Sequence, residues 1–400
     1  MLPVALALAG QSDFKLRNGD RVLFYGDSIT EQHLYTNYVE TFVVTRFPDL
    51  NVHFRNTGVG GDRVTGGWAG DIKTRMPRDF YAYRPTVATI MLGMNDGSYR
   101  PFNEGDFKTY ADGYTNIVAG IKRNDPGCRL FLIQPSPFDD VTRAPNWDPG
   151  YNSVLQNYGQ FVKELAAKNG FEAVNLNEPL VADLQKADQP ESKDAQQLIP
   201  DRVHPAPPFQ LLMAEQILKA WNAPATVTDV AIDFAKRSVT KADNSKVNLT
   251  EGLEWTQLDG SLPFPLKMDD KLVALAMKSS DFVDSLDREM LTVTGLPANT
   301  YDLKIDGKTV GTFTKEQLEA GINLAVIDTP MVDQARKVED LTGLHNSVFM
   351  MRWRNVQMPW ADEPKLGAAM GKFEAAEEAV VAMQRDEAKP LIHTYRLVAL

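Results

Sequence analysis

The chain has 400 residues, 43% of them hydrophobic and 24% charged, which is ordinary for a globular protein and too long for one typical domain. A formal net charge of −11 argues against nucleic-acid binding, which needs a basic stripe, and against anionic membrane surfaces. Five His and one Cys, Cys128, offer no metal-cage spacing and exclude an intrachain disulfide.

Residues 1–10 (MLPVALALAG) are apolar and end in small residues ahead of Gln11-Ser12-Asp13. This is the pattern of the end of a secretory leader without its basic start. Segment 1–19 is therefore read as a signal-peptide remnant, which implies a secreted or periplasmic protein. The alternative is a cytoplasmic protein with an apolar N-terminus. No run is long enough to span a bilayer.

From residue 20 to 224 strand-like and helix-like segments alternate. Residues 21–25 form the first strand, 38–46 a helix, 52–55 a short strand and 86–92 a central apolar strand. Residues 107–123 read as a helix closed by Asn124-Asp125-Pro126-Gly127. A buried strand follows at 129–134. Residues 151–169 form an amphipathic helix with Val154, Tyr158, Phe161, Val162 and Leu165 on one face and Gly170 as C-cap. A fifth strand spans 173–176 and a closing helix 209–221. This alternation predicts a three-layer α/β/α domain around a parallel sheet.

Near Asn222-Ala223-Pro224-Ala225 the pattern changes to short strands and turns, giving a small β-rich domain over 225–330. Its clearest feature is Asp306-Gly307, a type I′ hairpin turn between strands 301–305 and 309–313. Residues 315–318 read as a short helix. Residues 331–400 read as a helical region packed on the rest, helical over 331–358 and again over 364–385. Ala368, Phe373, Ala376, Ala379, Val380 and Met383 mark the apolar stripe of the second stretch.

Chemistry concentrates in four patches of the first domain. Val22-Leu23-Phe24-Tyr25-Gly26-Asp27-Ser28 delivers a hydroxyl to the carboxyl edge of the sheet, where open α/β folds place their chemistry. Asn56-Thr57-Gly58-Val59-Gly60-Gly61-Asp62 follows the second strand and Gly93-Met94-Asn95-Asp96 the central one. Asp201-Arg202-Val203-His204-Pro205 precedes the closing helix. A serine hydroxyl needs a base to act as nucleophile, and His204, with Asp201 three residues earlier to orient it, supplies one. Ser28 would also serve as a plain helix N-cap, but that role leaves Asp201 and His204 without purpose. His33 is the rival base. Asp27, Asp62 and Asp96 read as braces for their loops, and His53, His345 and His393 as packing or surface residues.

In order and spacing these patches resemble those of the SGNH hydrolases, the GDSL esterases and lipases, over roughly residues 20–222. The resemblance implies a flavodoxin-like three-layer fold with an accessory C-terminal region. It also implies a Ser28–His204–Asp201 triad, an oxyanion hole of the Ser28 N–H, the Gly61 N–H and the Asn95 side-chain amide, and no metal or organic cofactor. Glycine at 61 would let the backbone approach closely. The implied substrate is a small-molecule or polysaccharide acyl ester, with acetyl groups on carbohydrate favoured by export, polar loops, an accessory β domain and the aromatics Trp68, Tyr99 and Trp147 in loops near this edge, where they could stack on a sugar. Glu31-Gln32-His33 depart from the small residues often found after the serine motif, which argues against a wide-open lipid entrance and leans toward a polar substrate. A lipase or lysophospholipase is the alternative within enzymes, and a non-catalytic carbohydrate-binding or structural module is the alternative outside them. No candidate catalytic residue falls beyond 224, and the sequence leaves the oligomeric state open.

Overall fold

The computed structural model describes residues 13–189, 193–360, 363 and 365–400. The apolar stretch 1–10 lies outside the described residues. Just after it, Phe14 and Leu16 are buried in the first core, and the Phe14 ring stacks on Phe47 at 4.4 Å.

Five parallel strands make the central sheet: β1 (Arg21–Gly26), β2 (His53–Asn56), β3 (Val87–Met91), β4 (Arg129–Ile133) and β5 (Glu172–Val174). Their spatial order is β2-β1-β3-β4-β5, so the winding reverses between β1 and β3. Ligands of open α/β sheets bind outside the strand ends at that reversal. Every residue of β3 is buried, as an unbroken apolar run covered on both faces requires. Four long helices belong to this half: α1 (Leu34–Arg46), α2 (Glu104–Asn124), α3 (Tyr151–Asn169) and α4 (Pro207–Ala220).

Helix α1 is buried nearly all round, Glu40, Thr41 and Thr45 included. The cause lies in the second half of the chain. Helix α5 (Pro330–Met350) packs on α1, as α4 does, with α6 (Leu366–Glu387) laid along α5. The second half also holds two sheets. Strands β6 (Thr226–Asp233), β7 (Ser238–Asp243), β10 (Arg288–Thr294) and β13 (Ile322–Asn323) form one in the order β13-β10-β6-β7. Strands β8 (Ser245–Leu249), β9 (Glu254–Asp259), β11 (Thr300–Ile305), β12 (Lys308–Thr314) and β14 (Ile392–Ala399) form the other, antiparallel throughout, in the order β8-β9-β14-β11-β12. The Asp306-Gly307 turn joins β11 to β12 with both residues at positive φ, 49° and 82°, as type I′ demands.

Two expectations fail here. The end of the chain is not wholly helical, because β14 lies in the middle of the antiparallel sheet, burying His393, Tyr395 and Leu397 on alternate positions. The stripe assigned to α6 faces outward: Ala368, Ala376, Ala379 and Met383 are exposed, and Phe373 and Val380 only partly covered. The buried face carries Glu377, Val381 and Gln384. Its partners are polar as well. His345 Nδ1 lies 2.8 Å from Glu40, Arg352 donates to Glu377 at 3.1 Å, and Gln384 donates to Glu40 and Thr342.

The halves do not have separate interiors. Phe264, Phe282, Phe349 and Trp353 belong to the core around the parallel sheet, and Val44 of α1 belongs to the core of the β-rich half. Among the described residues no helix is long and apolar enough to cross a membrane.

Candidate active site

Strand β1 ends in Gly26, and the next residues turn at once into a short helix, Ser28–Glu31, capped by Asp27. The Asp27 carboxylate accepts the Ile29 N–H at 3.0 Å, bracing the turn as expected. Burial, aided by the nearby Asp96 and Asp62 carboxylates, raises the Asp27 pKa to about 7 against the pull of that hydrogen bond. Ser28 takes the first helical position, where backbone N–H groups have no partner within the helix.

His204 reaches this hydroxyl from the loop before α4. Its Nε2 lies 2.8 Å from Ser28 Oγ, and its Nδ1 lies 2.7 Å from Asp201 Oδ2. The other Asp201 oxygen accepts the backbone N–H groups of Val203 (2.9 Å) and His204 (2.7 Å), so the carboxylate caps the turn that carries its own imidazole. Partial burial favours the neutral acid, but these hydrogen bonds outweigh it and hold the Asp201 pKa below the usual carboxylate range. The Nδ1 contact to an ionised carboxylate puts the ring proton on Nδ1 and leaves Nε2 as the acceptor facing Ser28.

The glycine loop after β2 lies against the same turn. Val59 N–H donates to Gly26 O at 3.0 Å, and a Cβ on Gly60 would sit 3.8 Å from Ser28 Cβ. Gly61 has φ +75° with nothing within 4 Å of an added Cβ, so its glycine serves the backbone conformation rather than close approach. Among the described residues its N–H has no acceptor. Asn95, just past β3, donates one amide hydrogen to Asp62 O at 3.0 Å and keeps the other. Arg75 braces this loop from beneath, donating to Thr57 O and to Asp62 (2.9 Å each) and pairing with Asp79. Its guanidinium lies over the Tyr25 ring at 4.9 Å, with Trp353 of the C-terminal region at 6.0 Å.

The three aromatics fare differently. Trp68 is 65% exposed and donates to Gly60 O at 2.9 Å. Tyr99 donates its hydroxyl to Asn95 Oδ1 at 2.9 Å, which fixes the way the Asn95 amide points. Ser98 and Tyr99 both hold positive φ, 56° and 54°, a conformation costing a non-glycine residue roughly 1–2 kcal/mol. Trp147 is partly buried and packs edge-on against Tyr151, which separates it from Tyr99.

The rival base is engaged elsewhere. His33 is buried, bonded through Nδ1 to Asn346 at 2.9 Å, and burial lowers its pKa to about 4 despite that bond. Its neighbours are paired within the protein too. Glu31 pairs with Arg354 at 2.7 Å, and Gln32 bonds to Gln210. His345 is not simple packing: burial opposes its charge, but Glu40 and Glu377 prevail and raise its pKa to about 10. His53 lies 3.5 Å from Glu378, and His393 2.6 Å from Asp306. Sequence reasoning did not find Arg75, Tyr99 as amide brace, or Arg354: the first two act on loop neighbours that only the folded turns bring within reach, and Arg354 comes to Glu31 from the other half of the chain.

Residues 24–208 match the model of the GDSL-like lipase/acylhydrolase family. The chain carries a GDSL-like acylhydrolase (SGNH) domain. Over 225 residues it is 25% identical to an acetylxylan esterase of Geobacillus stearothermophilus, covering 51% of this chain and 95% of that protein. A crystal structure of an acetylxylan esterase from that organism matches 52% of this chain and 96% of its own, at 24% identity and a TM-score of 0.41. A gut microbial diltiazem-metabolizing enzyme matches 99% of this chain and 100% of its own, with TM-score 0.81 and 23% identity. The fold of the acylhydrolase domain together with its C-terminal half therefore recurs in another protein.

Proposed function

We propose that this protein is a serine esterase that removes short acyl groups, acetyl above all, from carbohydrate through an acyl-enzyme on Ser28. The unbroken relay from Ser28 Oγ through His204 to Asp201, 2.8 and 2.7 Å, carries the reading. Ser28 Oγ bonds to the ester carbonyl carbon while His204 Nε2 takes its proton. The carbonyl electron pair moves onto oxygen, where the Ser28 and Gly61 N–H groups and the free Asn95 amide hydrogen receive the charge. As the tetrahedral intermediate collapses, His204 protonates the departing alcohol. Water then attacks the acyl-Ser28 ester with His204 again taking the proton, and His204 returns that proton to Ser28 Oγ as the carboxylic acid leaves. Asp201 holds the tautomer and stabilises the imidazolium in both halves. The acetylxylan esterase relative supports acetyl groups on a sugar polymer as the substrate class. The composition of residues 1–10 supports export.

Hydrolysis of p-nitrophenyl esters from acetate to palmitate, by wild type and by Ser28→Ala, tests the reading. Activity is expected to peak at acetate and to vanish in the variant. Wild-type turnover in Ser28→Ala would remove Ser28 from the mechanism. A maximum at long chains would favour a lipase or lysophospholipase, and no hydrolysis of any ester would favour a non-catalytic carbohydrate-binding module.

A further inference from the structure

Arg354 belongs to the irregular turns after α5, Met351–Gln357, yet its guanidinium ends beside the Ser28 turn. Its Nη2 pairs with Glu31 Oε1 at 2.7 Å, and the guanidinium carbon lies 4.4 Å from the centroid of the Trp68 ring. Trp68 is tied in turn to Gly60 O through its indole N–H. A Cβ on Gly60 would lie 2.7 Å from the second Glu31 oxygen and 3.8 Å from Ser28 Cβ. Arg354, Trp68, Gly60 and Glu31 thus close a ring of contacts that forms one wall beside Ser28.

The state of Trp68 is the telling detail. Its polar handle is used and a guanidinium lies against the ring, yet 65% of the residue remains exposed. What it presents is bare aromatic face, the surface on which the C–H face of a sugar ring stacks. A recess of about 270 Å³ opens here, lined by Trp68, Ala69, Arg78, Arg354, Met358 and Pro359. Arg78 is already committed to Asp79 and to Ala69 O. Arg354 joins the indole, through Glu31, to the helix that starts with Ser28.

We propose that Arg354 is a positioning residue, supplied by the C-terminal half, that holds Trp68 as the stacking platform for the sugar ring of the ester. The proposal rests on the esterase reading above and adds to it a task for the accessory region: setting preference for carbohydrate without touching the reacting atoms. Arginine suits the task because its flat guanidinium both stacks on indole and pairs with a carboxylate, whereas lysine keeps only the charge.

The test compares wild type, Arg354→Ala, Arg354→Lys and Trp68→Ala on p-nitrophenyl acetate and on an acetylated xylo-oligosaccharide. Calorimetry of the same oligosaccharide binding to the Ser28→Ala protein, with and without Arg354→Ala, supplies a readout free of turnover. Arg354→Ala is expected to raise KM for the oligosaccharide, and to weaken its binding, on the order of tenfold, the loss of one ring-stacking contact. The effect should fall on KM more than on kcat, and more on the oligosaccharide than on p-nitrophenyl acetate. Arg354→Lys should recover part of it, and Trp68→Ala should reproduce the KM increase. Parallel losses on both substrates, or no change in oligosaccharide binding, would overturn the proposal. An oligosaccharide that does not bind, with p-nitrophenyl acetate still hydrolysed through Ser28, would overturn it and leave the esterase standing. Absence of Ser28-dependent hydrolysis in wild type would sink the esterase reading, and calorimetry would still decide the role of Arg354.

Discussion

Replacing Asp201 by Asn probes the relay at its most informative point. The change keeps the shape of the side chain, and its carbonyl oxygen still accepts the Val203 and His204 N–H groups that the carboxylate accepts now. The amide NH2 then faces His204 Nδ1, where Asp201 Oδ2 now sits at 2.7 Å. An NH2 there favours the tautomer with Nδ1 as acceptor and the proton on Nε2, so the ring presents a donor to Ser28 and cannot take its proton. The imidazolium formed during attack also loses its counter-charge. With charge centres about 4 Å apart, that attraction is worth about 1 kcal/mol in a water-like medium and about 4 at a protein surface. The Asp201 side chain is 54% exposed, so the lower half of that range applies. Together with the tautomer cost, kcat should fall by roughly a hundred- to a ten-thousandfold with KM changing far less. Steady-state kinetics on p-nitrophenyl acetate, alongside a thermal melt to verify folding, measures this. A folded Asp201→Asn protein keeping more than about a third of wild-type kcat would refute the reasoning.

Further outcomes follow from the geometry. Asn95→Ala removes a proposed oxyanion donor and should lower kcat by on the order of a hundred- to a thousandfold. Tyr99→Phe, which only frees the Asn95 amide to turn, should cost less, and an equal loss in both would show that Tyr99 does more than orient the amide. The buried pair of His345 and Glu377 makes stability depend on pH. Burial would raise the Glu377 pKa, but His345, Arg55 and Arg352 lower it from 4.5 to about 2, so its contribution is complete above about 4.5 and fades as pH falls through 2. His345 is raised from 6.5 to about 10, so its contribution is complete below about 6.5 and is lost as pH rises through 10. Glu377→Gln, which removes the carboxylate that Arg55 and Arg352 bond while His345 keeps Glu40, should destabilise by about 2 kcal/mol at pH 6 in urea unfolding. That gap from wild type should narrow as pH falls from 4.5 toward 2, and a constant gap would contradict the assignment.

The meeting of Ser28, His204 and Asp201 was legible because each of them sits beside a local signal. Ser28 follows an apolar strand and a glycine turn, and Asp201 and His204 share one turn ahead of a helix. Glycine at 61 could be read, but not its reason, since positive φ is a property of the folded loop. The inward face of α6 was illegible for a different cause. An apolar stripe is visible in a sequence, whereas Glu377 and Gln384 become interior residues only because Arg352, His345 and Glu40 meet them there. Strand β14 has a period of two, but its partners β9 and β11 lie far upstream and nothing near Ile392 announces them. Likewise Glu31 reads as an odd polar residue after the serine until Arg354 arrives from the other half.

The central place of β14 has a consequence for how the molecule is made. Until residues 392–399 are synthesised and in register, β9 and β11 each carry a naked row of amide and carbonyl groups separated by an empty slot. A nascent or shortened chain in that condition is a template for whatever extended peptide it meets, and so prone to clump with its own kind. This strand thus acts as a zip that closes the molecule against its siblings.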